Sequence, residues 1–216
     1  LLPPLPVTAV NRFAARPVTP DELVIAGGHK HKAALNRVIL ALDGQLLTHA
    51  LHLPVSGPLP ADDVLLIAVV NRYAPSAPAV ALIRGFGLRA GALASSVAHD
   101  SHNVIGVGCD PLSLATALNA VIAAQGGLAV VDATGACDLL PLPIAGLMSD
   151  ADGDQVAARY AALSAAVCER LGSPLRAPFM TLSFMALLVI PELKLSDRGL
   201  FDGNNFTLTT LEAPAA

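Results

Sequence analysis

Between Asp63 and Asn71 the chain runs through seven consecutive apolar residues, Val64-Leu65-Leu66-Ile67-Ala68-Val69-Val70. A strand with one wet face alternates apolar and polar residues, whereas an unbroken run rich in β-branched side chains fits a strand inside a sheet. Val64 to Tyr73 is therefore read as a central strand. Gly91 to Ala98, Asn103 to Cys109 and Leu128 to Val131 are further short apolar runs that read as buried strands. Pro, Gly or a charge interrupts every such run before it could span a bilayer. The chain is thus read as a layered domain with no membrane segment.

The remaining segments fill in around these runs. Arg37 to Leu42 reads as a strand, Asp43-Gly44 as a tight turn, Gln45 to Leu53 as the partner strand, and Val80 to Ile83 as extended. Arg84 to Gly91 reads as a turn, its glycines too irregular for a dinucleotide fingerprint. Asp110-Pro111 opens a helix over 111–124 with Leu114, Leu118, Val121 and Ile122 on one face, stopped by Gly126-Gly127. Asp152 and Gln155 open a second, over 153–171, with Val156, Tyr160, Leu163, Val167 and Leu171 in a stripe. Cys137 to Leu140 is read as extended, Pro178 to Ile190 as helix in preference to strand, Glu192 to Gly199 as exposed and charged, and Phe206 to Leu211 as a last strand. Near the start, Val7 to Phe13 suggests a short strand, and the stretch from Arg16 to Leu23 a single turn capped by Thr19. The expected fold class is α+β, a mixed β-sheet packed against two or three helices. Residues 1–12 read as a linker remnant, 13–212 as the domain and 213–216 as a tail. Leu1-Leu2-Pro3-Pro4-Leu5-Pro6 has no initiator Met or signal-peptide pattern, so a fragment or processing product is expected.

Charge limits the partners. Charged residues make up 14% of the chain and AVILMFWYC residues 54%, which leaves few charges to cover a surface. Part of the exterior is expected to be apolar and covered by a second copy or by another domain. The net charge of -4 without a basic run argues against nucleic acid. Cys109, Cys137 and Cys168 are widely spaced and odd in number, which suits three buried thiols in a reducing, cytoplasmic setting; no CxxC pair suggests zinc.

The polar stretch His99-Asp100-Ser101-His102-Asn103 lies between two of the buried runs. Polar clusters at strand ends are common ligand positions, because the strand is rigid and its end is open. Two imidazoles and a carboxylate within four residues have the chemistry to shuttle a proton near neutral pH or to hold an ion. The competing reading is a self-bonded turn, with Asp100 and Asn103 accepting backbone N–H groups. His29 and His31 share a face only if extended, with no carboxylate between them, and read as a solvated loop. His49 and His52 would lie on opposite faces of their strand.

Five segments, in order, resemble the C-terminal domain of the microbial adenine deaminases. They are Gly85-Phe86-Gly87-Leu88, Ser95-Ser96-Val97-Ala98-His99-Asp100-Ser101-His102-Asn103, Leu140-Pro141-Leu142-Pro143-Ile144-Ala145-Gly146-Leu147-Met148-Ser149, Pro178-Phe179-Met180-Thr181-Leu182-Ser183-Phe184 and Val189-Ile190-Pro191-Glu192-Leu193-Lys194-Leu195. The resemblance covers roughly Phe13 to Leu211. It implies a parent enzyme that hydrolyses adenine to hypoxanthine and ammonia in an amidohydrolase barrel holding a divalent metal pair, iron or manganese. The barrel and its HxH ligands precede the matched region, and His29-Lys30-His31 is not taken as their equivalent. In the family the His99–Asn103 segment resembles part of the face turned toward the barrel. The chain departs from the family pattern where Val-Glu-Arg-His and a glycine-rich stretch are expected: it reads Val70-Asn71-Arg72-Tyr73, then Ala74-Pro75-Ser76-Ala77-Pro78.

Three functions compete on this reading. The first is an accessory domain of an adenine-deaminase-like enzyme, inactive alone, with His99, Asp100 and His102 as shuttle or site-lining groups. Ser95, Ser96, Asn103 and Arg72 are its ligand-binding or supporting candidates, and the barrel domain or a second copy its partner. The second is a stand-alone protein derived from that domain that binds a small ligand such as a purine, or regulates. The third is a small metal hydrolase built on His99, Asp100 and His102, although no cofactor is expected in the chain itself.

Overall fold

The computed structural model describes residues 11–25, 35–55, 59–60 and 62–213. Its main element is an eight-stranded mixed sheet of β1 (Leu35–Ala41), β2 (Thr48–Pro54), β3 (Leu65–Val70), β4 (Ala79–Arg84), β5 (Ala92–Ser95), β6 (Val104–Gly108), β7 (Gly127–Val131) and β8 (Cys137–Pro141). The strand order is β2-β1-β4-β3-β6-β5-β7-β8. Only the β1–β4 pair is parallel. All six residues of β3 are buried. Leu65, Ile67 and Val69 face one core and Leu66, Ala68 and Val70 the other, as the two-residue period of a strand requires.

Helix α1 (Pro111–Ala123) covers the second face. Asp110 caps it by accepting the Ser113 N–H at 2.8 Å. Leu114, Leu118, Val121 and Ile122 pack onto the small side chains of β5 and β7, Ala92, Ala94 and Ala129. Gly106 lets the helix come close, because a Cβ there would press on Leu114 and Leu118. The first face is covered by α2 (Gly153–Glu169), α3 (Pro178–Ser183) and a small antiparallel sheet of β9 (Leu193–Ser196), β10 (Gly199–Asp202) and β11 (Thr207–Leu208). Leu163, Val167 and Leu171 from the end of the helical stripe meet Phe179, Leu182, Leu195 and Leu200 in that core. The α+β expectation of a mixed sheet with two or three helices holds.

Several local expectations need correcting. Arg12 and Phe13 are not in a strand, and Val7 to Val10 lie outside the described residues, as do His29 and His31. The single early turn is present, a 3-10 turn at Pro20–Leu23 with the Thr19–Glu22 capping box. Helix α3 stops at Ser183, and turns rather than helix follow to Glu192. The stretch read as exposed and charged contains the β9 strand instead, with Leu193, Lys194 and Leu195 buried. Lys194 enters the interior because its Nζ donates to the Leu46 carbonyl at 2.6 Å and the Phe184 carbonyl at 3.1 Å. Burial lowers its ammonium pKa to about 8. The last strand shrinks to two residues, and of the three cysteines only Cys109 is fully buried, Cys137 being exposed.

Candidate functional site

Strand register sets the site. Val70 pairs with Val104 across β3 and β6, and Ser95 with Ile105 and Leu128 across β5, β6 and β7. Arg72, Ser96 and the residues ahead of Asn103 therefore all emerge at one end of the sheet. Ser95 begins the turn by accepting the Val97 N–H on its Oγ at 2.9 Å. Ser96 Oγ accepts the Gly127 N–H at 2.9 Å and donates to the Gly146 carbonyl at 2.6 Å, tying the loop after β8 to the sheet. Asn103 Oδ1 accepts the Arg72 N–H at 3.1 Å, so the buried asparagine joins β3 to the turn instead of satisfying its own backbone.

The two imidazoles lie together. His99 donates its backbone N–H to the Ser183 carbonyl at 2.9 Å, and its ring stacks on Phe184 with centroids 5.4 Å apart. The His102 ring meets it edge-on at 5.7 Å. His102 has a left-handed backbone, φ 53°, and donates its N–H to the Ala98 carbonyl at 2.7 Å. Burial, then the neighbouring His99 and Arg72 charges, push the His102 pKa below its ordinary value, against a smaller opposing pull from Asp100. Asp100 itself is exposed, and among the described residues no ion pair joins it to either ring. The structure thus brings His99 and His102 together and leaves the carboxylate between them at the surface.

Arg72 occupies the middle of this end, with only 5% of its surface exposed. Its Nη1 donates to the Ala145 carbonyl at 2.6 Å. Its guanidinium lies 4.8 Å from the Tyr73 ring centroid and 5.8 Å from that of Phe13, a cation–π arrangement. Tyr73 also donates its hydroxyl to the Ser101 carbonyl at 2.8 Å and so pins the turn. Reading the sequence singled out Arg72 as a site candidate and marked Tyr73 only as a departure from the family pattern; it did not assign the Ala145–Gly146 loop or the Ser183–Phe184 end of α3. The last two fall within segments already notable in the sequence, Leu140–Ser149 and Pro178–Phe184; that signal marked them without assigning them to this site.

Chemically, this end offers one fixed cation, two imidazoles, buried hydroxyl and amide groups and an exposed carboxylate. Among the described residues no three His, Cys, Asp or Glu side chains group as metal ligands, so the His99, Asp100 and His102 hydrolase has no donor set there. Fold and site define a three-layer α+β domain with one polar, aromatic-lined sheet end. The chain belongs to the adenine deaminase C-terminal domain family, which matches residues 38–207. It is 57% identical over 205 residues to an adenine deaminase of Salinibacter ruber, covering 91% of this chain and 36% of that protein. A Sulfurovum adenine deaminase is 57% identical over 169 residues, covering 78% of this chain and 31% of that protein. One from Methanosarcina barkeri is 43% identical over 215 residues, covering 95% and 39%. The chain spans roughly a third of the length of these relatives.

Proposed function

We propose that this chain is the accessory C-terminal domain of an adenine-deaminase-like enzyme, inactive alone, whose polar sheet end faces the catalytic barrel. The parent reaction is hydrolytic deamination of adenine to hypoxanthine and ammonia, with the divalent metal pair, iron or manganese, held by the barrel. The observation that carries the reading is the convergence of Arg72, Ser96, His99, His102 and Asn103 at one end of the sheet. The elements framing that end also expose Tyr73, Met148 and Met180, apolar surface suited to a covering domain.

In this role His99 and His102 line the site, and His102, held uncharged by its surroundings, is available to pass a proton. Ser95, Ser96 and Asn103 hold the turn in shape, and Asp100 biases the charge of the His102 imidazole from the surface. The test is the pair Asp100→Asn and His102→Ala in the full-length enzyme. Turnover is expected to fall at least ~10-fold with thermal stability kept, as loss of a shuttle or supporting group does. Unchanged turnover would reduce the segment to a structural turn. The 216-residue chain on its own is expected to show no adenine deamination and to hold metal only substoichiometrically.

A further inference from the structure

A guanidinium stays charged at any physiological pH, so burying one calls for a counter-charge or a full set of acceptors. Arg72 has neither. It is 5% exposed, and no ion pair among the described residues includes it. Its Nη1 is bound to the Ala145 carbonyl, while among the described residues neither Nε nor Nη2 has an acceptor, and Nε is buried. The unpartnered Nε–Nη2 edge is the side of the guanidinium that grips two oxygens in parallel.

Its surroundings hold that edge still. The Tyr73 and Phe13 rings flank the guanidinium, and the backbone of Arg72 is fixed by Asn103 Oδ1 on its N–H and by the Ala14 N–H, which donates to its carbonyl at 2.6 Å. A second unpartnered buried atom belongs to the same end, His102 Nδ1, on a residue whose neighbours Asn103 and Ser101 are hydrogen-bonded to Arg72 and Tyr73. Of the other buried atoms without partners among the described residues, Ser76 Oγ, in the loop after Tyr73, can also donate, whereas Asn11 Oδ1 only accepts and Ser164 Oγ lies in α2. Polar atoms left unsatisfied in a protein interior are uncommon, and their gathering at one place points to a polar group that completes them.

We infer that this end of the sheet is a carboxylate site, in which the Nε–Nη2 edge of Arg72 grips both oxygens and His102 Nδ1 adds a further contact. The inference rests on reading this end as a ligand-facing surface and adds the class of group it receives. A carboxylate fits both the planar fork and the uncompensated charge; a neutral purine would leave that charge unpaired, and a monatomic anion would offer one shared acceptor where a carboxylate gives each N–H its own oxygen. The carboxylate comes either from an acidic side chain of the rest of the full-length polypeptide or from a free small acid.

Acetate is the probe, with chloride at equal pH and ionic strength as the reference. Saturating acetate is expected to raise the thermal midpoint of the 216-residue chain by about 3 °C over chloride. Arg72→Lys, which keeps the charge and loses the fork, should abolish the difference. In the unsubstituted chain the Arg72 Nε–H resonance should move on acetate titration, a readout that needs no variant to fold. In the full-length protein, loss of the acetate response would assign the carboxylate to the polypeptide, and a retained response to a free acid. Equal midpoints in acetate and chloride with an unmoved Nε–H resonance would overturn the inference. That failure is separable from failure of the site-lining reading it rests on, which is measured by turnover of the Asp100 and His102 variants.

Discussion

His102 is the residue whose environment makes the clearest statement about pH. Its folded pKa lies below the unfolded value of about 6.5, so between the two the unfolded chain binds more protons. Its contribution to stability is therefore full above pH ~6.5 and is lost as pH falls through the folded value. Replacing it with Asn, which tolerates the left-handed backbone at this position, should flatten the acid limb of a stability-versus-pH curve. Superimposable acid limbs would mean that His102 titrates as if solvated. Gly146 makes the complementary steric statement. It has φ 68°, and a Cβ there would collide with Arg72 Nη1, whereas Gly135 has φ 83° with open space around it. Gly146→Ala and Gly135→Ala should share a backbone cost of about 1–2 kcal/mol. Only Gly146→Ala should also displace Arg72 and cost more, which chemical denaturation of the two variants would show. At this scale His99, Asp100, His102 and Asn103 were legible as a polar cluster between apolar runs. The partner of Asn103 was not, because its amide reaches across the sheet to Arg72, a contact that no local pattern encodes.

Elements with a strong period and a local stop signal were the most legible. Helix α1 carries its cap, its first-turn proline and its stripe within one continuous stretch, and the structure places Leu114, Leu118, Val121 and Ile122 in the core. Leu118→Ala should cost about 2–5 kcal/mol through lost burial and the cavity left behind. A loss below ~1 kcal/mol in denaturant unfolding would mean that the helix can collapse over the gap or is not held there. The segment from Pro178 to Leu195 was harder to read because tertiary contacts decide it. Its apolar content suits either helix or strand, and the chain uses both, a short α3 and then β9. Lys194 reads as a surface residue by type, yet it lies inside because two backbone carbonyls, Leu46 and Phe184, are placed to receive it. One of those carbonyls belongs to the residue whose ring stacks on His99, so the buried lysine also braces the His99 turn. A sequence shows the charge of Lys194 but not the acceptors that make its burial tolerable.

At the scale of the whole molecule the shortage of charge and the three-layer fold meet. An eight-stranded sheet covered on both faces uses much of the apolar content, but not all of it. Met148 is 57% exposed and Met180 50% exposed, one on the loop that binds Arg72 and the other on the helix that anchors His99. If the barrel of the parent enzyme covers this end, these two side chains enter the contact while adding little to the stability of the domain itself. Replacing both with Ser should leave the unfolding free energy of the chain within about 0.5 kcal/mol per site. Burying the remaining half of each side chain is worth on the order of 1 kcal/mol. Association with the rest of the enzyme, produced as a separate polypeptide, should therefore weaken roughly tenfold or more for the pair. Sedimentation of the two-polypeptide mixture measures this directly. Undiminished association with the double variant would place the covering surface elsewhere. The apolar groove between α2 and β7–β8, about 440 Å³ and lined by Val97, Leu128, Leu140, Leu142, Leu147 and Tyr160, would then be the next face to substitute.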